Sequence, residues 1–182
     1  MREKSLYETV VQVLDGKFSS LGKCFFEITA EGKFSSKLER KLDDYALFIF
    51  KEEKYSPDVT GVLTKKETYG TSEKIIVAEV KPRIRLTSIY QAKRYAEILN
   101  AEYALLITPK PLSERKRRFI IHRKPAITSY YPNRQIIIAE LVWETVTPDR
   151  PSELTLKIDE TMYTSLLDPF KNDIEKTKGT SE

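Results

Sequence analysis

Ile75-Ile76-Val77-Ala78-Glu79-Val80-Lys81 runs from four apolar residues straight into an acid and a base. Its β-branched start suits a buried strand, and residues two apart on a strand point to one face. Glu79 and Lys81 are therefore expected to project together, with Val80 turned the other way. An ionisable pair at the end of such a strand must pair internally, bind a metal or reach solvent, because burying an unpaired charge is costly. The plain alternative is a salt-bridged strand end. Twenty-one residues earlier, Pro57-Asp58 offers a second carboxylate that a neighbouring strand can bring alongside. Pro57 presets the backbone before a strand and marks the end of a loop; it has no chemical role.

Context separates this tripeptide from its imitators. Asp15-Gly16-Lys17, Glu31-Gly32-Lys33, Glu39-Arg40-Lys41, Glu52-Glu53-Lys54 and Glu114-Arg115-Lys116 have the same form. None of them directly follows an unbroken run of four apolar residues.

The chain of 182 residues fits one domain, expected over 1–170, with a flexible acidic and polar tail over 171–182. Its single cysteine, Cys24, allows no internal disulfide and no four-cysteine metal site, and is expected in or near the core. No apolar stretch is long enough to span a bilayer and the N-terminus lacks a signal-peptide core, so the expected location is the cytoplasm. The formal net charge is +4, but it is unevenly spread. Residues 140–182 hold ten acids and five bases, whereas 1–139 hold 26 bases and 17 acids. Arg83, Arg85, Lys93 and Arg94 follow Lys81 closely, and Arg115, Lys116, Arg117 and Arg118 form a second cluster. Such patches attract a polyanion by displacing its counterions, which points to DNA, with RNA left open.

Around this centre the pattern predicts an α/β domain. A first helix is expected over 5–14, with Ser5 as N-cap, Glu8 completing a capping box and Gly16 as the stop. Strands are expected over 24–28, 59–63 and 74–81, the last two joined as a hairpin through Gly70. Leu38, Leu42, Tyr45 and Ile49 recur at helical spacing, although 46–50 reads equally as strand. A helix over 86–99 presents Ile89, Ala92, Ala96 and Leu99 on one stripe and stops at Asn100. A strand over 103–108 follows, implying a crossover between parallel strands. Pro111 opens a helix through Arg118, and strands are expected over 135–143 and, more weakly, 154–158.

The chemistry of the central residues is that of phosphodiester hydrolysis. Mg²⁺ prefers oxygen ligands and keeps several waters, so one or two carboxylates and a substrate phosphate suffice to hold it. Asp58, Glu79 and the Val80 carbonyl can supply those oxygens, and Mn²⁺ could substitute for Mg²⁺. The cation activates water and neutralises developing charge, while Lys81 orients the water. His122 is the only histidine, which excludes histidine-based metal sites and nucleophile triads. No phosphate-cradling glycine motif is present. Tyr130-Tyr131-Pro132-Asn133 reads as a loop whose rings could stack on bases or pack in a turn, and Trp143 as core.

Taken together, Pro57-Asp58 and Glu79-Val80-Lys81 resemble the motif of the PD-(D/E)xK nuclease superfamily. Gln91 and Tyr95, four apart on one helix face, are similar to the Gln-x-x-x-Tyr motif of its RecB-like branch. The resemblance covers roughly 58–108, with 5–14 as a weaker extension. It implies a restriction-endonuclease-like core, a central mixed sheet flanked by helices, and a Mg-dependent deoxyribonuclease leaving a 5′-phosphate and a 3′-hydroxyl. Gln91 would contact the lysine or the substrate phosphate, with Tyr95 in support. A bland role remains for Gln91, as the last residue of a Ser88-Ile89-Tyr90-Gln91 capping box. Family members also place an acid of the first helix near the metal; Glu8 fills that role, or Glu39 if the segment around Leu38 is helical. With one cysteine, the iron-sulfur-bearing relatives are excluded. A homodimer is compatible with cutting two strands. The alternative function is a catalytically inactive nucleic-acid-binding or scaffolding protein on the same fold.

Overall fold

β-branched and apolar runs become strands wherever they are long enough to be covered on both sides. The computed structural model describes residues 3–53, 55–131, 134–144 and 153–158. A 3-10 turn leads into α1 (Tyr7–Ser19), followed by β1 (Lys23–Ile28), α2 (Ser36–Glu39) and α3 (Asp44–Glu53). Then come β2 (Val59–Glu67), β3 (Gly70–Val80), α4 (Leu86–Ile98), β4 (Tyr103–Thr108) and α5 (Glu114–Thr128). The short β5 (Ser129–Tyr130), β6 (Arg134–Glu144) and β7 (Glu153–Ile158) follow, and a second 3-10 turn, Ala30–Gly32, lies between β1 and α2. The expected tail over 171–182 lies outside the described residues.

The strands form one mixed seven-stranded sheet in the order β1-β2-β3-β4-β6, with β5 and β7 both pairing β6. β1, β2 and β3 make an antiparallel meander. α4 then crosses over, and β4 runs parallel to both β3 and β6. All six residues of β4 are buried, as expected for a central strand covered on both faces.

Alternation along the strands builds two cores. Ile76, Ala78 and Val80 share one face with Tyr103, Leu105 and Ile107, and pack against Val10, Leu14 and Phe18 of α1. Val77, Ala104, Leu106 and Ile138 face the opposite way, against Phe50 of α3, Ile89, Ala92 and Ala96 of α4, and Ile120 of α5. Helices thus cover both faces of the sheet. Among the described residues no helix is long and apolar enough to cross a membrane.

Several boundaries differ from the sequence reading; β2 runs on to Glu67, and β3 begins at Gly70 and ends at Val80. α1 begins at Tyr7, so Ser5 is not its cap, and it continues through Gly16 to Ser19. Leu14 and Phe18, one turn apart and fully buried, hold the helix across the glycine. The undecided segment resolves as helix in two pieces, with Ala46 and Phe50 buried and Tyr45 exposed. α5 starts at Glu114 and runs ten residues past Arg118, anchored by buried Ile120 and Ile127.

Candidate active site

The antiparallel pairing of β2 with β3 sets Val59 opposite Ala78, so Asp58, one residue beyond, comes level with Glu79. The Val80 N–H donates to Asp58 Oδ2 at 2.8 Å, and the Tyr7 hydroxyl of α1 donates to Asp58 Oδ1 at 2.8 Å. Lys81 Nζ lies 2.6 Å from Glu79 Oε1 and 3.6 Å from Asp58 Oδ2. Its backbone N–H donates to the Ile107 carbonyl at 2.8 Å, which fixes the residue at the β3–β4 end. Glu79 and Lys81 therefore share a face, as the period of a strand requires.

This is not the exposed salt bridge of an ordinary strand end. Asp58 is 6% and Glu79 1% exposed, and the Lys81 side chain only 17%. Asp58 is held from its backbone as well, its carbonyl accepting from the Thr29 and Ala30 N–H groups at 3.0 and 3.3 Å. Thr29 Oγ1 donates to the Pro57 carbonyl and meets Thr60 Oγ1, both at 2.8 Å, while Ser56 Oγ donates to the Thr29 carbonyl at 2.6 Å. The loop carrying Asp58 is thus stitched to the end of β1 by buried polar groups, each with a partner.

α4, which follows Lys81 after a short loop, carries the Gln91–Tyr95 pair. Ser88 Oγ accepts from the Arg85 N–H at 3.3 Å, so Ser88 closes the helix start from inside the first turn and Gln91 is not part of the cap. Instead Gln91 Nε2 donates to the Tyr95 hydroxyl at 3.2 Å. The Tyr95 hydroxyl has its pKa raised above the usual tyrosine value, first by burial. Gln91 opposes that shift by hydrogen bonding, the Glu79 and Asp58 carboxylates reinforce it and Lys81 opposes it. Gln91 and Tyr95 thus form one hydrogen-bonded pair on α4.

No family model, no curated protein and no solved structure matches the chain. The chemistry of the site has to be read from its own atoms.

The structure does not bring either acid proposed for the first helical region to this cluster. Glu8 is exposed, and its neighbour Tyr7 is the α1 residue that turns inward to Asp58. Glu39 pairs with Lys51 of α3 at 2.7 Å. Among the described residues no group of three or more His, Cys, Asp or Glu side chains is arranged to hold a metal. Two buried carboxylates remain, beside one amine. That all-oxygen donor set fits Mg²⁺, which keeps most of its waters and needs few protein ligands, and does not fit a softer metal.

Most of the basic residues are exposed, and several also have a partner. Arg83, Arg85, Arg94 and Arg115 are exposed. Lys93 approaches Glu97 at 3.9 Å, and Arg117 and Arg118 approach Glu114 at 3.8 and 2.9 Å. Lys116 Nζ donates to the Ile84 carbonyl at 2.9 Å, tying α5 to the loop that follows Lys81. His122 is exposed on α5. Tyr130 is buried with its hydroxyl donating to the Glu102 carbonyl at 3.3 Å, so it is not available for stacking; Tyr131 is exposed. Pro132 and Asn133, and the side chain of Trp143, lie outside the described residues.

Sequence reasoning missed Tyr7, Thr29, Ser56 and Thr60. Tyr7 had a signal: with Val10 and Leu14 it falls on the buried stripe of α1, and a buried tyrosine hydroxyl needs a partner. The others act through contacts between distant segments and left no local mark.

Proposed function

We propose that the protein is a divalent-metal-dependent deoxyribonuclease with a restriction-endonuclease-like core. The observation that carries this reading is the convergence of two buried carboxylates, Asp58 and Glu79, on one amine, Lys81, at the ends of paired strands. The antiparallel meander followed by a helical crossover to a parallel strand is compatible with that core.

Asp58 and Glu79 would hold the cation, with the Val80 carbonyl between Glu79 and Lys81 as a further oxygen. When bound, Mg²⁺ or Mn²⁺ supplies activation of water and neutralisation of phosphate charge. Asp58 is suited to this because Tyr7 and the Val80 N–H fix its orientation. Lys81, against both carboxylates, is suited to orienting the attacking water and stabilising charge, and not to abstracting a proton. Gln91, braced on Tyr95, would position the substrate phosphate. Arg83, Arg85 and Arg94 would draw the DNA backbone toward the site.

The test is incubation with Mg²⁺ or Mn²⁺ and a panel of linear, supercoiled, single-stranded and branched DNA. Asp58→Asn and Lys81→Ala should each lower the cutting rate by at least about 100-fold, equivalent to about 2.7 kcal/mol in the barrier. Binding without cutting would reassign the chain to a nucleic-acid-binding or scaffolding role. Cutting that survives both substitutions would remove the catalytic assignment.

A further inference from the structure

Tyr55 stands three residues before Asp58, and its side chain is 52% exposed. The Arg94 guanidinium of α4 lies over its ring, 5.4 Å from the centroid. One turn before Arg94, Tyr90 is 49% exposed. Tyr90 and Arg94, four apart on one face of α4, each precede in sequence a member of the hydrogen-bonded Gln91–Tyr95 pair. Two half-open aromatic rings and a guanidinium thus stand on the two segments that carry candidate site residues, one on the loop that holds Asp58 and the others on the helix that holds Gln91. α3, which leads into that loop, exposes two more rings, Tyr45 and Phe48, three positions apart and on one face.

Exposed rings of this kind are flat apolar surfaces that gain by being covered, and the Arg94 contact holds one of them in place while adding positive charge beside it. Exposed Arg83 and Arg85, in the loop between Lys81 and α4, add a path for phosphates. Base–aromatic stacking with cationic backbone contacts is how proteins hold unpaired nucleic acid. A duplex offers no such purchase, because its bases already stack on one another.

We propose that Tyr55 and Tyr90, braced by Arg94, form a base-stacking rim that admits unpaired DNA, a single strand, flap or frayed end, to the active site. This deepens the nuclease reading and rests on it for the identity of the neighbouring site. The rings act on the nucleotides flanking the scissile phosphate and take no part in its chemistry, so they select substrate.

The experiment measures equilibrium binding by fluorescence anisotropy, with the full chain and no divalent cation, so that nothing is cut. The probes are a labelled thymidine oligodeoxynucleotide and a labelled duplex of equal length, over a series of salt concentrations. Wild type should prefer the single strand. Tyr55→Leu and Tyr90→Leu should each weaken single-strand binding by about 10-fold and leave duplex binding and the salt dependence unchanged. Tyr55→Phe and Tyr90→Phe, which keep the ring, should bind as wild type does and so report that the fold is intact. Arg94→Ala should weaken binding to both probes and flatten the salt dependence by about one unit of slope. Equal affinity of wild type for the two probes, or leucine variants that lose both alike or neither, would overturn the rim. Cleavage assays keep the two readings apart. Ring-dependent single-strand binding without cutting sinks the nuclease and keeps the rim; Asp58-dependent cutting without ring dependence does the reverse.

Discussion

Tyr7 is the side chain on which the geometry of Asp58 turns, since its hydroxyl and the Val80 N–H between them engage both carboxylate oxygens. Removing a buried donor leaves its acceptor less well satisfied, at a cost of about 1–3 kcal/mol. Tyr7→Phe should lose that much stability in urea unfolding and lower cutting by loosening Asp58. Asp58→Asn provides the control: if the contact is what matters, the two substitutions couple, whereas additivity to within about 0.5 kcal/mol would show that Tyr7 acts elsewhere. Asp58, Glu79 and Lys81 were legible in the sequence because the two-residue period of a strand and an apolar run fix which side chains share a face. Gln91 and Tyr95 were legible for the corresponding reason on a helix. Tyr7 was passed over because Glu8 beside it has the conventional chemistry of a metal ligand; the stripe it shares with Val10 and Leu14 marks it as inward-facing, but only a contact across 51 residues shows its partner. Thr29, Ser56 and Thr60 are small polar residues whose importance comes wholly from meeting one another.

At the scale of elements, two glycines make opposite predictions. Gly61 in β2 pairs with Phe26 of β1, and a Cβ there would stand 2.2 Å from the Phe26 ring and 2.9 Å from the Phe25 carbonyl. Phe26 cannot simply retreat, because it packs on Phe18 of α1 with centroids 5.6 Å apart. Gly61→Ala should therefore destabilise by about 1–3 kcal/mol, by forcing a packed ring out of place. Gly16 sits inside α1 with nothing within 4 Å of where a Cβ would be. Gly16→Ala should stabilise by up to about 1 kcal/mol through helix propensity alone. Chemical denaturation of both variants checks the pair, and a destabilising Gly16→Ala would contradict the continuous helix. The same residue shows why boundaries were harder to read than elements. Glycine is a local stop signal, while the burial of Leu14 and Phe18 that overrides it belongs to the α1–sheet interface and leaves no trace in a short window. α5 outran its expected end for the same reason, held by Ile120 and Ile127 beyond its basic first turns.

At the scale of the whole molecule, the sheet joins an antiparallel half, which supplies Asp58 and Glu79, to a parallel half whose β4 fixes the Lys81 backbone. α1 reaches the site from one face of the sheet, where the Tyr7 hydroxyl donates to Asp58, and α4 packs on the other face. A cation bound there by the folded chain and not by the unfolded one must stabilise the entire domain, by about 2.7 kcal/mol when its concentration is 100 times its dissociation constant. For a chain of this size that amounts to a rise in melting temperature of roughly 2–4 °C per kcal/mol. Thermal unfolding with increasing Mg²⁺ should show the rise, at constant ionic strength so that general screening of the basic surface is held fixed. Asp58→Asn should abolish it. Glu8→Gln should keep it, because Glu8 is exposed beside the residue that turns inward. A melting temperature indifferent to Mg²⁺ in wild type would remove the metal from the site. A shift lost in Glu8→Gln would instead make that acid a third ligand, drawn in from solvent by the cation.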